Sequence, residues 1–256
     1  MARRSGNTVV LTHLEFDLLW EDLGSGDPPY PLDVPSHGRT EAERDELGVR
    51  VHASLTEAGL FRGDDVDEDL ADLFGLLGTA AVSVDATVFR PTQWRVVAAK
   101  RGGRGVLAVL NDREIALEPI TDLVRAMTRV VGDAPAGPGE QLRLPRAVFS
   151  AAMDSFARSG HAGLERVLTE AGVTGRAVRS ITTLAGSGRT AAGQLAVSGP
   201  AGRTPVLSWT DTDVGRYAMV VEQVSGEPLV RLSPADGGWL TRRLAELLEE
   251  AGAPRW

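Results

Sequence analysis

The chain reads as an α+β protein whose central antiparallel sheet is built from two related halves. Three observations predict this. Short runs of alternating apolar residues are joined by tight turns, so neighbouring strands run antiparallel. Helical periodicity flanks each group of strands. Two sequence markers recur at nearly one distance: Leu55-Thr-Glu-Ala-Gly59 returns as Leu168-Thr-Glu-Ala-Gly172, 113 residues on, and Ile115-x-Leu117-x-Pro119 returns as Val230-x-Leu232-x-Pro234, 115 residues on. Two half-sheets each leave an unpaired edge unless they join. The economical arrangement is one sheet across a pseudo-two-fold, with helices packed on one face, in a single domain spanning 1–256. The half-repeats are 8–131 and 140–256, and the linker is 132–139, with Pro135 and Pro138.

The elements follow in order. Residues 1–7 read as a frayed tail and Val9–Leu11 as a short strand. Thr12 with Glu15 forms a capping box. It opens a helix to about Leu23 that shows Leu14, Leu18 and Leu19 on one side, and Gly24 ends it. Residues 24–38 hold four prolines, which fix φ and remove amide donors, so this segment is extended and neither helix nor sheet. Thr40 with Glu43 is a second capping box, for a helix to about Ala58 with Leu47, Val51 and Leu55 at spacing four. A third helix, about Asp67–Leu77, carries acids in its first turn, where the positive helix end favours them. Strands follow at Val82–Phe89, Arg95–Arg101, Gly105–Leu110 and Arg113–Glu118, and a helix from about Ile120 to Val131 closes the half. In the second half, strands near Gly193–Ser198, Thr204–Thr210, Arg216–Gln223 and Pro228–Leu232 precede a last helix, Gly237–Glu250, with Leu240, Leu244, Leu247 and Leu248.

Composition narrows the function classes. Hydrophobic residues make up 43% and charged residues 24%, as in a folded soluble protein. The net charge of -8 argues against nucleic acid and against an anionic membrane surface, both of which need a basic face. Lys100 is the only lysine among 27 basic residues, so nearly every cation is an arginine fork suited to planar carboxylate pairing. The absence of cysteine excludes disulfides, thiolate metal sites and a cysteine nucleophile. The basic N-terminus lacks the apolar stretch of a signal peptide, and no window approaches the roughly 18 apolar residues of a membrane span. A cytoplasmic monomer or homodimer is expected.

Catalytic patterns are scarce. The lysine stands in Ala99-Lys100-Arg101, outside any Gly-rich phosphate loop, and neither a nucleophile elbow nor a dinucleotide fingerprint occurs. His13 lies one helical turn from Asp17 and reads as a solvated pair. His52 and His161 lack an acidic set at metal spacing. Asp64-Asp65-x-Asp67-Glu68-Asp69 is calcium-like in charge but lacks the ligand order of an EF-hand. Ser36 beside His37 keeps an alternative open, a small-molecule or hydrolytic site. Adjacent residues of an extended chain point to opposite sides, so a loop-holding histidine is the simpler reading. No catalytic residue, cofactor or metal is expected. Positive signs favour binding: Arg90, Trp94, Arg95, Arg101 and Arg104 stand in strand-connecting segments, and Trp and Arg are enriched at interface hot spots. Trp209 and Trp239 hold the matching places of the second half, although each tryptophan also suits a core. A homodimeric scaffold is a further alternative.

The run Pro29-Tyr30-Pro31-Leu32-x-Val34-Pro35-Ser36-His37-Gly38 resembles the EspG family, the cytosolic chaperones of ESX (type VII) secretion. So do Leu14, Leu18 and Trp20 before it, then Thr40-x-Ala42-Glu43-Arg44, the acidic helix 67–77, and the strand 95–101 reading Arg-Val-Val-Ala-Ala-Lys-Arg. The resemblance covers nearly the whole chain and is strongest over 8–131. It implies a quasi-two-fold body with a central antiparallel sheet and a C-terminal helical bundle. It also implies a non-enzymatic role: binding the helical tip of a PPE-like secreted protein in a PE–PPE heterodimer and directing it to its secretion system. The family's contact surface, a sheet loop and the C-terminal helical bundle, maps here to loops 89–95 and 101–105 and to helix 237–250. The implied partner-binding residues are Arg90, Trp94, Arg95, Arg101, Arg104, Trp239, Arg242 and Arg243.

Overall fold

A computed structural model describes residues 1–63 and 65–254. The first half runs β1 (Arg3–Ser5), β2 (Thr8–Thr12), α1 (His13–Asp22), α2 (Glu41–Glu57), β3 (Phe61–Arg62), β4 (Asp65–Val66), α3 (Glu68–Gly78), β5 (Val82–Phe89), β6 (Gln93–Arg101), β7 (Arg104–Leu110), β8 (Glu114–Ile120) and α4 (Leu123–Val131). The second runs β9 (Leu142–Pro145), α5 (Arg146–Glu170), α6 (Arg176–Gly186), β10 (Arg189–Gly199), β11 (Gly202–Arg203), β12 (Leu207–Thr212), β13 (Gly215–Val224), β14 (Glu227–Pro234) and α7 (Gly237–Glu250).

Twelve strands form one sheet, β1-β2-β8-β7-β6-β5-β10-β12-β13-β14-β9, with β11 hung on β10. Every ladder is antiparallel, and the halves meet where β5 pairs with β10, from Ser83 opposite Ser198 to Phe89 opposite Ala192. Outward from that seam the order is the same in both directions: β6, β7, β8, β2 on one side and β12, β13, β14, β9 on the other. This is the pseudo-two-fold sheet the sequence predicts. The repeated pentamers end α2 and α5 in one geometry. Leu60 N donates to Leu55 O at 2.8 Å and Gly59 N to Thr56 O at 3.0 Å; Val173 N donates to Leu168 O and Gly172 N to Thr169 O, both at 2.9 Å. These are Schellman closures, and they need glycine in the left-handed region, where Gly59 has φ 69° and Gly172 φ 78°.

Helices cover both faces of the sheet, not one. Val82, Val84, Ala86 and Val88 of β5, with Leu195 and Val197 of β10, pack against α4 and α7. On the other face α1, α2 and α3 cover Val97, Ala99, Val106 and Ala108, while α5 and α6 cover Tyr217, Val230 and Leu232. The helical bundle of the C-terminal half is therefore α5 with α6. Helix 237–250, to which the contact surface was assigned, lies beside α4 on the opposite face.

Three further expectations change. Residues 1–7 are not a frayed tail: β1 pairs with β2, Arg3 bridges Glu114, and buried Ala2 donates its amide to Glu15 at 2.9 Å. Thr40 caps α2, but Glu43 accepts from the Arg39 amide instead of closing the box. Residues 142–170, left unassigned by sequence, form β9 and α5, which breaks at Gly160 (φ 62°). Asp64 of the acidic run lies outside the described residues; Asp67 caps α3 and bonds Arg4 at 2.5 Å.

Candidate partner-binding surface

The predicted residues divide between the two ends of the sheet. Strand β6 has nine residues, so at about 3.3 Å per residue its ends lie roughly 26 Å apart. Arg90, Trp94 and Arg95 stand at one end, Arg101 and Arg104 at the other. Arg90 donates to Val131 O at 2.6 Å and lies 5.6 Å over the Trp94 ring. Trp94 packs against the α4–α7 core. Arg95 points to the opposite face and holds the proline segment, donating to Asp33 O at 2.7 Å. Arg101 donates to Thr79 Oγ1 at 3.1 Å, and Arg104 is paired with Asp72. On α7, Trp239 is half-buried in the core and Arg242 is exposed. Arg243 bridges Glu246 at 2.9 Å and Glu250 at 2.8 Å. Burial works against its charge, yet the bonds it donates to those two carboxylates raise its pKa.

The structure gathers Arg90 with residues that the sequence did not single out. Ser83, Asp85 and Thr87 alternate with the β5 valines, and Gln194 and Ser198 alternate with Leu195 and Val197, so they share the face that carries the α1–α3 and α5–α6 layers. Between those layers the seam is a trough with a polar floor. At one end Arg203 forks onto Asp85, Nη2 to Oδ2 at 2.8 Å; this hydrogen bond raises the guanidinium pKa. At the other end a cleft of about 730 Å³ is lined by Phe89, Arg90, Arg189, Thr190, Gln194 and Thr210, among others. It adjoins an apolar cavity of about 360 Å³ under α5 and α6, where Phe149, Met153, Leu184, Tyr217 and Met219 meet. Burial pushes the Tyr217 hydroxyl pKa up; that hydroxyl donates to Pro138 O at 2.9 Å.

The two helical layers are packed unequally. Helix α3 buries Leu70, Leu73, Phe74 and Leu77, and Phe16, Trp20 and Phe74 stack with centroids 5.3 to 5.6 Å apart. In the matching place α6 buries only Ser180 and Ile181, while Phe149, Met153, Phe156 and Leu184 remain partly exposed around the smaller core. The sequence signal for this surface was the apolar content of 148–156 and 184, hidden because Gly160 breaks the helical period.

At the Ser36–His37 pair, the alternative catalytic site, Asp17 does stand behind His37, with Nδ1 3.3 Å from Oδ2. Asp17 Oδ2 also accepts the His37 amide at 2.7 Å, and Arg44 holds Ser36 Oγ at 3.1 Å and the His37 carbonyl at 2.5 Å. Every one of these bonds ties the proline segment to α1 and α2. His13 reaches Asn111 O at 2.9 Å and not Asp17. No group of three metal-ligating side chains occurs among the described residues.

The fold and the trough define a class of protein: a continuous pseudo-symmetric sheet, a helical layer on each half, and an open furrow between them. The chain belongs to the EspG family, whose family model matches residues 12–246. No curated protein matches the sequence. Among solved structures the chain is similar to the Mycobacterium tuberculosis type VII secretion system chaperone EspG5, determined in complex with the PE25–PPE41 dimer. The identity is 17%, the TM-score 0.75, and the match covers 97% of this chain and 98% of that one. At that identity the likeness is one of fold.

Proposed function

We propose that this protein is a chaperone of a type VII secretion system that receives the helical tip of a PPE-like protein, carried in a PE–PPE-like heterodimer, and performs no chemistry on it. The observation that carries this is the loosely filled α5–α6 layer beside the trough. That layer encloses an apolar cavity of about 360 Å³ which the chain's own side chains leave unfilled, and a concave, mostly apolar recess is where a ligand group seats. Methionines at 153 and 219 suit a surface that must adapt to its partner. Membership of the EspG family and the complex formed by EspG5 point the same way. Of the contacts predicted from sequence, only Arg90 lines the end cleft, with Trp94 beneath it; Arg95 lies apart, against the proline segment. Arg104 borders a separate cleft with Arg4, Asp72 and Arg129, Arg101 is bonded to Thr79, and Trp239, Arg242 and Arg243 lie on the α4–α7 face. Membership of the family supports action in the cytosol, and the repeated strand order about the β5–β10 seam supports one domain of two related halves. No described helix is long and apolar enough to cross a membrane.

Coexpression with PE–PPE heterodimers encoded in the same genome, followed by size exclusion and calorimetry, tests the reading. A soluble complex with one of them is expected, and Met153→Asp should abolish it with little change in melting. Soluble, folded heterodimers that all fail to bind at micromolar concentration would refute it.

A further inference from the structure

Within the reading of the trough as a helix-tip receptor, we infer that Arg189 and Gln194 cap the carbonyl end of the incoming helix and so select which helix terminus enters. Three observations carry this. The cleft where β10 begins is lined by two arginines, Arg90 and Arg189, and by no aspartate or glutamate, in a chain of net charge -8. Arg90 is committed to the Val131 carbonyl. Arg189, by contrast, has no partner among the described residues, nor do the side chains of Gln194, Thr190 and Thr210. And the β10–β12 register slips between Arg189 and Ala191. Such a bulge re-aims the side chains beside it.

A helix that ends against a sheet brings up to four unpaired carbonyls at its C-terminus or four unpaired amides at its N-terminus. The C-terminal end carries about half a negative charge, the N-terminal end half a positive one. A guanidinium donates only, and an amide or hydroxyl can donate, so this lining can satisfy carbonyls. With no carboxylate present it offers amides much less. The apolar last turn of the same helix then fills the adjoining cavity between Met153, Leu184 and Met219. Apolar burial supplies affinity; the donors supply polarity of insertion.

The test uses two stapled helical peptides of roughly 20 residues, about 30 Å long, of equal composition and capped ends. One carries its apolar turn at the C-terminus, the other at the N-terminus, and each is labelled at its far end for anisotropy. The first should bind at least tenfold more tightly. Arg189→Glu should weaken it by about tenfold or more, as loss of a charge-assisted bond predicts, and Gln194→Ala a few-fold, with melting unchanged because both positions are exposed. Equal binding of the two peptides, insensitivity to both substitutions, or equally tight binding of an extended acidic peptide would each overturn the inference. The PE–PPE heterodimer, run on the same variants, separates the two claims. If it binds wild type and both variants alike, capping fails and the chaperone reading stands. If no heterodimer binds while the peptides still discriminate, capping stands and that reading fails.

Discussion

Replacing Arg216 with methionine removes the most fully buried charge in the joint between the halves. Its guanidinium, with no solvent exposure, forks onto Asp211 at 2.5 and 2.9 Å and donates to Gly132 O at 3.0 Å and Val131 O at 3.3 Å. The last two are carbonyls at the C-terminal end of α4, where a cation is electrostatically favoured. Methionine fills much of the volume but strands the Asp211 carboxylate, itself buried, and leaves the Gly132 carbonyl without its donor; Val131 keeps Arg90. Breaking a buried pair by removing one partner costs about 3–5 kcal/mol. For a chain of this size that is a fall of roughly 10 °C in melting temperature. Urea unfolding followed by circular dichroism measures it. Because the cost is the orphaned charge, Arg216→Met with Asp211→Leu should recover most of the loss. A single variant within about 1 kcal/mol of wild type, or a double variant no better than the single, would refute the reasoning.

Two other predictions rest on the fold. Burial pushes the Glu15 carboxyl up, but bonds from the Ser54 hydroxyl, the Thr12 amide and hydroxyl and the Ala2 amide outweigh it and hold the pKa below the usual range. A depressed folded value means stability that is complete above the ordinary carboxylate pKa and lost as pH falls through the folded one. Glu15→Gln should therefore lower stability near pH 7 and flatten the acid limb of urea midpoint against pH; parallel curves would contradict this. Gly193→Ala should destabilise by about 1–3 kcal/mol, because a Cβ there would sit 2.3 Å from the Trp209 ring and 2.7 Å from Thr87 O; an unchanged melting temperature would show that the seam yields.

Much of the fold was legible because its signals are local. Helix caps at Thr12, Asp67 and Gly59 depend on a few neighbouring residues, and β5 and α7 have the bounds that alternation and periodicity gave. The two-sided cover of the sheet was also written in the sequence, in Val96-Val97-Ala98-Ala99, since consecutive apolar residues on one strand mean both faces are buried. Attention to alternation alone hid it. The site was less legible. Its floor is polar residues on β5 and β10 whose significance comes from the seam, and no local pattern announces which strand of one half meets which strand of the other. Arg104 and Arg90 carry equal sequence weight, yet the length of β6 sets them at opposite ends of the sheet.

The unequal packing of the two layers is what the proposed function requires. Both halves share one topology, so the difference lies in side chains. The first half puts Phe16, Trp20 and Phe74 into its layer; the second leaves Phe149, Met153 and Leu184 partly exposed. A layer that buries less apolar surface contributes less to stability. The joint between the halves, by contrast, is densely bonded: the β5–β10 ladder, the Arg203–Asp85 fork across it, and Arg216 tying α4 to β13. On the proposed function, hydrogen exchange should protect the β5–β10 seam more than α5 and α6, since ligand-binding elements are drawn from the low-stability end; equal protection would contradict it. The break at Gly160 divides α5 into two segments, neither of which belongs to the sheet.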